Sequence, residues 1–548
     1  MSWLEIVSCT VFSARRIVTM NPSQPQATHV AVRDGRILGV GTLASLDLGD
    51  DYVLDDRFAD RVMMPGFVEG HSHALEGVLW EYCHVGYFDR MDPDGTVWSG
   101  LTTVAAVQER LKTYRVGLGE AVPLVAWGFD PIYFSERRLT RFDLDRIDRE
   151  RPIVVLHASL HMMTVNTAML ERSGLDRQTD IEGILLGDDG TPNGELREMA
   201  AMYGVFDALE MDIFAQGSGV KALERYARMA RRTGVTTLTD LYNPLSDKGL
   251  ETMQRVTRDA SVPMRLVPAL SALTYAADEG VERVLRCRER NHAKLHCGLV
   301  KLMTDGSIQG YTARIKWPGY HDGSPNGLWN AAPETLIDLV HRYHQAGLQL
   351  HIHTNGDEAV ELMLDAIESA LELWPRPDHR HVLQHCQIID HAQMRRAQRL
   401  GIGLNMFANH IYYWGDIHFE RTLGAERCQR LEPLASADRL GIPIAAHCDA
   451  PVTPLSPLFT AWCTVARRTP SGRVLGQHEG LSVERALRLI TLDAAWTLRL
   501  DDCVGSLEIG KFADMAVLEE DPYDVGVDAL PDIKVVATIV GGDVFCNE

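Results

Sequence analysis

Val62-Met63-Met64-Pro65-Gly66-Phe67-Val68-Glu69-Gly70-His71-Ser72-His73 is the stretch that decides how this chain is read. An apolar run broken by Pro-Gly leads into two histidines at i and i+2. On an extended segment such positions share a face, so both imidazoles address one point in space. Imidazole is a natural ligand for Zn²⁺ and similar cations. In a chain with 21 histidines the spacing alone carries little weight. Its weight comes from the orderly series of polar segments that follows it.

Working outward, eight short apolar segments read as strands: Gly66–His73, Val235–Leu241, Met264–Leu270, Leu299–Gly306, Leu348–Thr354, His381–Cys386, Gly401–Met406 and Ile442–Asp449. Amphipathic helices fill the gaps, for example Ala222–Arg232 and Asp357–Leu373. Eight strand–helix units with right-handed crossovers predict an α/β fold, a (β/α)₈ TIM barrel. The spacing is regular except after the first strand, where about 160 residues intervene, so 78–218 is expected to be an inserted subdomain. Both ends of the chain look different. Val7–Phe12, Arg16–Thr19, Thr28–Arg33 and Arg36–Gly39 read as strands, with Asp34-Gly35 as a hairpin turn. Met515–Leu518 and Val535–Val540 return to that character. Neither end has enough strands to bury a core alone, so 1–64 and 502–548 are expected to form one β-sandwich, leaving 65–77 and 219–501 as the barrel.

Active sites of such barrels lie at the C-terminal ends of the strands. Strand one ends in His71 and His73, strand four holds Lys301, strand five His353, strand six His385 and strand eight Asp449. Six groups are therefore expected to converge as metal ligands. His351 shares a face with His353 one layer deeper and reads as a core histidine. His447, two residues before Asp449, faces inward either to the pocket or to packing. The segment 407–418, with His410, Tyr413 and Trp414, is read as a substrate wall on a loop after strand seven, against the alternative of plain aromatic packing. His157 and His161 in the insertion are read as a lid over the site or as structural residues.

On these motifs the chain resembles the amidohydrolase superfamily of metal-dependent hydrolases over essentially its full length. Within it, the chain is similar to the large-insertion branch, amidohydrolase family 3, that includes N-substituted formamide deformylase. The matching residues are Pro65-Gly66-Phe67 with His71-Ser72-His73, Lys301 with Asp305-Gly306-Ser307, His353 to Ala359, Arg380-His381 with Gln384-His385, Asp449-Ala450-Pro451, and Thr491 with Ala494-Ala495 and the run 505–514. Smaller signatures are Trp127-Gly128-Phe129-Asp130, His157 with His161 and Asn166, and Gly194 with Glu198. The resemblance implies that His71, His73, His353 and His385 bind metal and that Asp449 is both ligand and proton shuttle. It also implies that Lys301 is the lysine that some members carboxylate to bridge two cations; an unmodified lysine paired with Asp305 is the alternative. Gln384 replaces a glutamate common in the branch, and Asn355 belongs to a narrower variant. Both suggest a pocket unlike that of the formamide-cleaving members.

The chemistry agrees independently. Metal-bound water has a pKa of ~7, and a nearby carboxylate can move its proton to a leaving amine. Asp449 is the strand-end carboxylate positioned for that catalytic task. The expected cofactor is Zn²⁺, as one or two ions, with Mn, Fe or Ni as alternatives. Substrate contacts are expected from His447, His410, Tyr413, Trp414, Trp127 and His161.

A net charge of −21 argues against nucleic-acid and membrane-surface partners. No 18-residue uncharged apolar stretch predicts a membrane span, and the first residues lack a signal-peptide pattern. Ten scattered cysteines read as reduced thiols rather than a disulfide framework, so a cytoplasmic location is expected. The partner is a small molecule, and a homodimer is the default assembly. The leading function is hydrolysis of a carbon–nitrogen bond other than a peptide bond: amide, N-acyl or N-formyl. The alternatives are ester or lactone hydrolysis, carbon–carbon cleavage or decarboxylation at the same site, and a barrel that binds ligand without turnover.

Overall fold

The computed structural model describes residues 9–49, 51–134, 138–211 and 213–547, with the backbone alone at 214. Residues 7 and 8 of the first expected strand lie outside them. Eight parallel strands form one sheet in sequential order: Phe67–Val68, Val235–Asn243, Arg265–Ser271, Leu299–Met303, Gln349–Thr354, Val382–His385, Gly403–Met406 and Ile444–Ala446. All eight expected strands are present. All eight carry runs of wholly or almost wholly buried residues, as strands covered on both faces must. The helix Asp357–Leu373 matches its expected bounds, and Val220–Thr233 extends its expected segment at both ends.

The sheet curls, but no strand ladder joins its first and eighth strands among the described residues. Strand one is only two residues long, so it exposes little backbone to pair. The edges meet instead through single bonds: His73 N donates to Ala450 O at 2.8 Å, and Cys448 N donates to the Glu69 carboxylate at 3.3 Å. The expected closed barrel is therefore a curled sheet sealed by one backbone bond and one side chain. Gly66 is needed where strand one begins, because a Cβ there would lie 2.2 Å from Thr236 Oγ1.

Between strands one and two, residues 83–197 build a second, mixed six-stranded sheet whose centre is Met162–Val165, Ile153–His157 and Leu124–Phe129. Strands from the two ends of the chain join in one eight-stranded sheet, in which Val62–Pro65 pairs with Met515–Leu518 and with Cys9–Val18. The first two expected strands are one, Cys9–Val18, with an irregular register between Ser13 and Ile17. The ladder runs through a single sheet rather than two separate ones. No helix of the described residues is long and apolar enough to cross a membrane.

Candidate metal centre

Backbone and buried acids position the strand-end residues. The Glu69 carboxylate accepts from the backbone N–H of both His71 and Cys448 at 3.3 Å, and the Cys448 thiol donates to it at 3.0 Å. One buried side chain thus ties the His71 segment to the Asp449 segment. Burial pushes the Glu69 carboxyl up to about 8. It also raises the Cys448 thiol, so this sulfur is no nucleophile. His385, Cys386 and Asp449 take left-handed φ values of 69°, 52° and 53°. Non-glycine residues adopt these at a cost of about 1–3 kcal/mol each, and such strain clusters at functional sites.

The donors converge. Asp449 Oδ1 lies 3.3 Å from His71 Nε2 and 3.2 Å from His73 Nε2, and its Oδ2 lies 3.9 Å from His385 Nδ1. Two triads, His71–His73–Asp449 and His71–His385–His447, each bring one ligand atom per residue within 4.8 Å of one another. Lys301 Nζ sits 3.1 Å from His71 Nε2. His71 Nδ1 faces Gln384 Oε1 at 2.7 Å, and the same oxygen accepts from Asn405 Nδ2 at 3.0 Å. A carboxamide oxygen only accepts, so Nδ1 carries the proton and Nε2 presents its lone pair to the cluster.

The electrostatics suit a cation. Burial keeps His71, His353 and His385 neutral, with pKa values well below the ordinary histidine value. Both ring nitrogens of His385 are buried without a hydrogen-bond partner. Burial alone would raise the Asp449 carboxyl, but His73, His447 and Lys301 hold it below the usual range. Burial lowers the Lys301 amine to about 7. Neutral imidazoles, one ionised carboxylate and buried lone pairs form a donor set that fits a divalent metal.

The sequence-derived residues divide into three groups. His71 comes within ligand range of His73 and Asp449 on one side and of His385 and His447 on the other. His353 lines the same cavity with its ring 4.5 Å from that of His385, but its Nε2 is engaged by Gly306 O at 3.2 Å. His161 and His410 also line the cavity. His447 does not; it stacks flat on His71 at 4.6 Å and on Phe407 at 4.9 Å, within the cluster of donor side chains. Three substrate-wall residues fall elsewhere. Segment 409–417 is a helix rather than a loop, and it turns Tyr413 and Trp414 into a neighbouring cavity with Tyr87, Phe88 and Asp130. There Trp414 Nε1 donates to Asp130 at 2.7 Å. Trp127 is buried in the insertion, under Arg90 and against Trp80. His351 lies deeper, bonded by Gln384 Nε2 at 2.8 Å, and His157 bonds Thr164.

The cavity lined by these donors has a volume of about 70 Å³. Part of its wall comes from the insertion: Ser159, Leu160, His161 and Met199. His161 is bonded to Glu198 at 2.8 Å. Burial opposes protonation of His161, but Glu198 outweighs it and raises its pKa. Reading the sequence missed Glu69, Gln309 and Gln387. The positions of Gln387, two residues after His385, and of Glu69, two before His71, were the available signals.

The family model described as "Amidohydrolase family" matches residues 59–545. The chain belongs to this family. YtcJ of Bacillus subtilis is 26% identical, covering 96% of this chain and 97% of its own. N-substituted formamide deformylase of Arthrobacter pascens is also 26% identical, covering 96% of each. A metal-dependent hydrolase of Pyrococcus horikoshii shares the fold, with a TM-score of 0.71, 20% identity and coverage of 95% and 99%. The family's curled parallel sheet is thus the scaffold on which this chain sets its histidines.

Proposed function

We propose that this chain is a metal-dependent hydrolase that cleaves a carbon–nitrogen bond, of amide, N-acyl or N-formyl type, in a small molecule. The observation that carries this reading is the convergence of His71, His73 and Asp449 on the wall of one cavity. Family membership supports it, as does a relative named for deformylation.

His71, His73, His385 and Asp449 would hold the metal, with Zn²⁺ favoured by the imidazole-rich set and His353 and Lys301 beside them. A metal bound there lowers the pKa of water to ~7 and polarises a carbonyl. Asp449 orients the attacking water, takes its proton and delivers it to the departing nitrogen. Its depressed pKa keeps it ionised at neutral pH, ready for the first transfer. Gln384 fixes the His71 tautomer. Lys301 is read as N-carboxylated. Its amine adds to CO2 with loss of one proton, and the resulting carbamate would offer two oxygens that share one negative charge where an ammonium would repel the cation.

The test is elemental content plus hydrolysis of an amide panel and an ester panel, with and without chelator. Bound transition metal and chelator-sensitive amide hydrolysis are expected. No metal, together with activity indifferent to chelator, overturns the reading. Mass spectrometry of metal-loaded protein should find added CO2 on Lys301. A bare amine there removes the carbamate and leaves the histidine–aspartate site.

A further inference from the structure

Three carboxamide side chains line the metal-side cavity: Gln309, Asn355 and Gln387. They are 3%, 5% and 0% exposed. Each has a buried polar atom without a hydrogen-bond partner: Gln309 Oε1, Asn355 Oδ1, and both Oε1 and Nε2 of Gln387. An unpaired buried polar group is destabilising, and native proteins rarely leave several together.

The chemistry of the wall is specific. Asn355 Nδ2 donates to Gly306 O at 2.7 Å. A backbone carbonyl can only accept, so the amide orientation is settled and the other atom, Oδ1, is an acceptor awaiting a donor. Gln387 offers one donor and one acceptor from the same planar group. No arginine lines the cavity among the described residues, and Lys301 lies against His71 in the donor cluster. Away from that cluster, the charge of His161 is already balanced by the Glu198 carboxylate at 2.8 Å, so no unbalanced cation is left for a carboxylate or phosphate. The rest of the wall is largely apolar, with Met199, Met303, Phe407 and Val452.

We propose that these three carboxamides form a recognition wall for a neutral N–H/C=O edge, so that the substrate carries, beside the scissile bond, a second uncharged amide, lactam or urea-type group. The bound group donates to Asn355 and pairs donor-to-acceptor and acceptor-to-donor with Gln387, while Gln309 accepts from a further N–H. Calling this ligand a substrate rests on the hydrolase reading above; the binding preference does not. Sites built to hydrogen-bond a ligand reject analogues that leave their polar groups unpaired far more strongly than apolar pockets reject a missing methylene.

The experiment is calorimetric binding to the metal-loaded protein of three matched probes: an alkylurea, the hydrocarbon of the same shape, and the corresponding carboxylate. The urea is expected to bind at least about 10-fold more tightly than either of the others. Gln387→Met and Gln309→Met, which roughly conserve volume, should each reduce that preference, with metal content and circular dichroism confirming the fold. Equal binding of urea and hydrocarbon by the wild-type protein overturns the proposal, whatever the variants do. A preference for the carboxylate, or one that survives both substitutions, also overturns it. Urea selectivity without hydrolysis of any amide sustains the wall and removes the hydrolase reading. Hydrolysis without selectivity does the reverse.

Discussion

Gln384 Oε1 stands 2.7 Å from His71 Nδ1 and fixes which nitrogen of that ring faces Asp449. Gln384→Met removes the acceptor while nearly conserving volume. Loss of a partner that orients a metal-bound histidine typically costs 10–100-fold in metal affinity or activity. Chelator competition should show weaker metal retention by about that factor. Unchanged affinity would mean that stacking on His447 suffices to hold the ring.

Asp449→Asn keeps the shape but removes the base. We expect kcat to fall by roughly 10²–10⁴, with metal content reduced much less than in His71→Ala. Near-normal kcat would transfer the proton-moving role to another group lining the cavity, with His161 the first to examine.

Arg90 crosses from the insertion to the turn after Asp449. It bonds Pro451 O at 2.6 Å and Thr453 O at 3.3 Å, and pairs with the fully buried Glu76 at 2.6 Å. Arg90→Met leaves a buried carboxylate alone, a change that costs about 3–5 kcal/mol in comparable cases. Thermal unfolding should report a marked loss. Adding Glu76→Gln should recover part of it, since the stranded charge is then gone. No recovery would place the cost in the turn instead.

Asp130 provides a pH-dependent readout away from the metal centre. Burial raises its carboxyl to about 6, against the lowering effect of its Trp414 and Ile132 hydrogen bonds. A carboxyl with a raised folded pKa binds more protons folded than unfolded, so stability falls as pH rises through the interval between the two values. Asp130→Asn removes that dependence. Its melting temperature relative to wild type should therefore improve from about pH 4 to about pH 7, the window set by the ordinary value of 3.8 and the folded value of about 6. A constant difference across that range would show that Asp130 stays ionised in the fold.

Much of this protein was legible in its sequence because the relevant signals are local. Strand Met515–Leu518 and helix Asp357–Leu373 have the expected bounds because burial periodicity is written residue by residue. His71 and His73 share a target because a two-residue spacing on extended chain guarantees it. The positions of Tyr413, Trp414 and Trp127 depended on how distant segments pack. The segment 409–417 coils into a helix and sends Tyr413 and Trp414 to Asp130 and Phe88 in the insertion.

His447 and His353 make the same point at the centre. Both were expected to face inward, but which of them joins the tight donor group depends on strand tilt and on who holds each ring. Gly306 O holds His353, and His71 stacks on His447. By itself the sequence determined the order of the strands, the segments that carry the converging histidines and the family, since each is encoded within short stretches. Only the tertiary structure decided which buried polar atoms were left without partners, because partnership is set by three-dimensional distance. Gln309 and Gln387, some 78 residues apart in the chain, line one cavity only once the parallel sheet has curled.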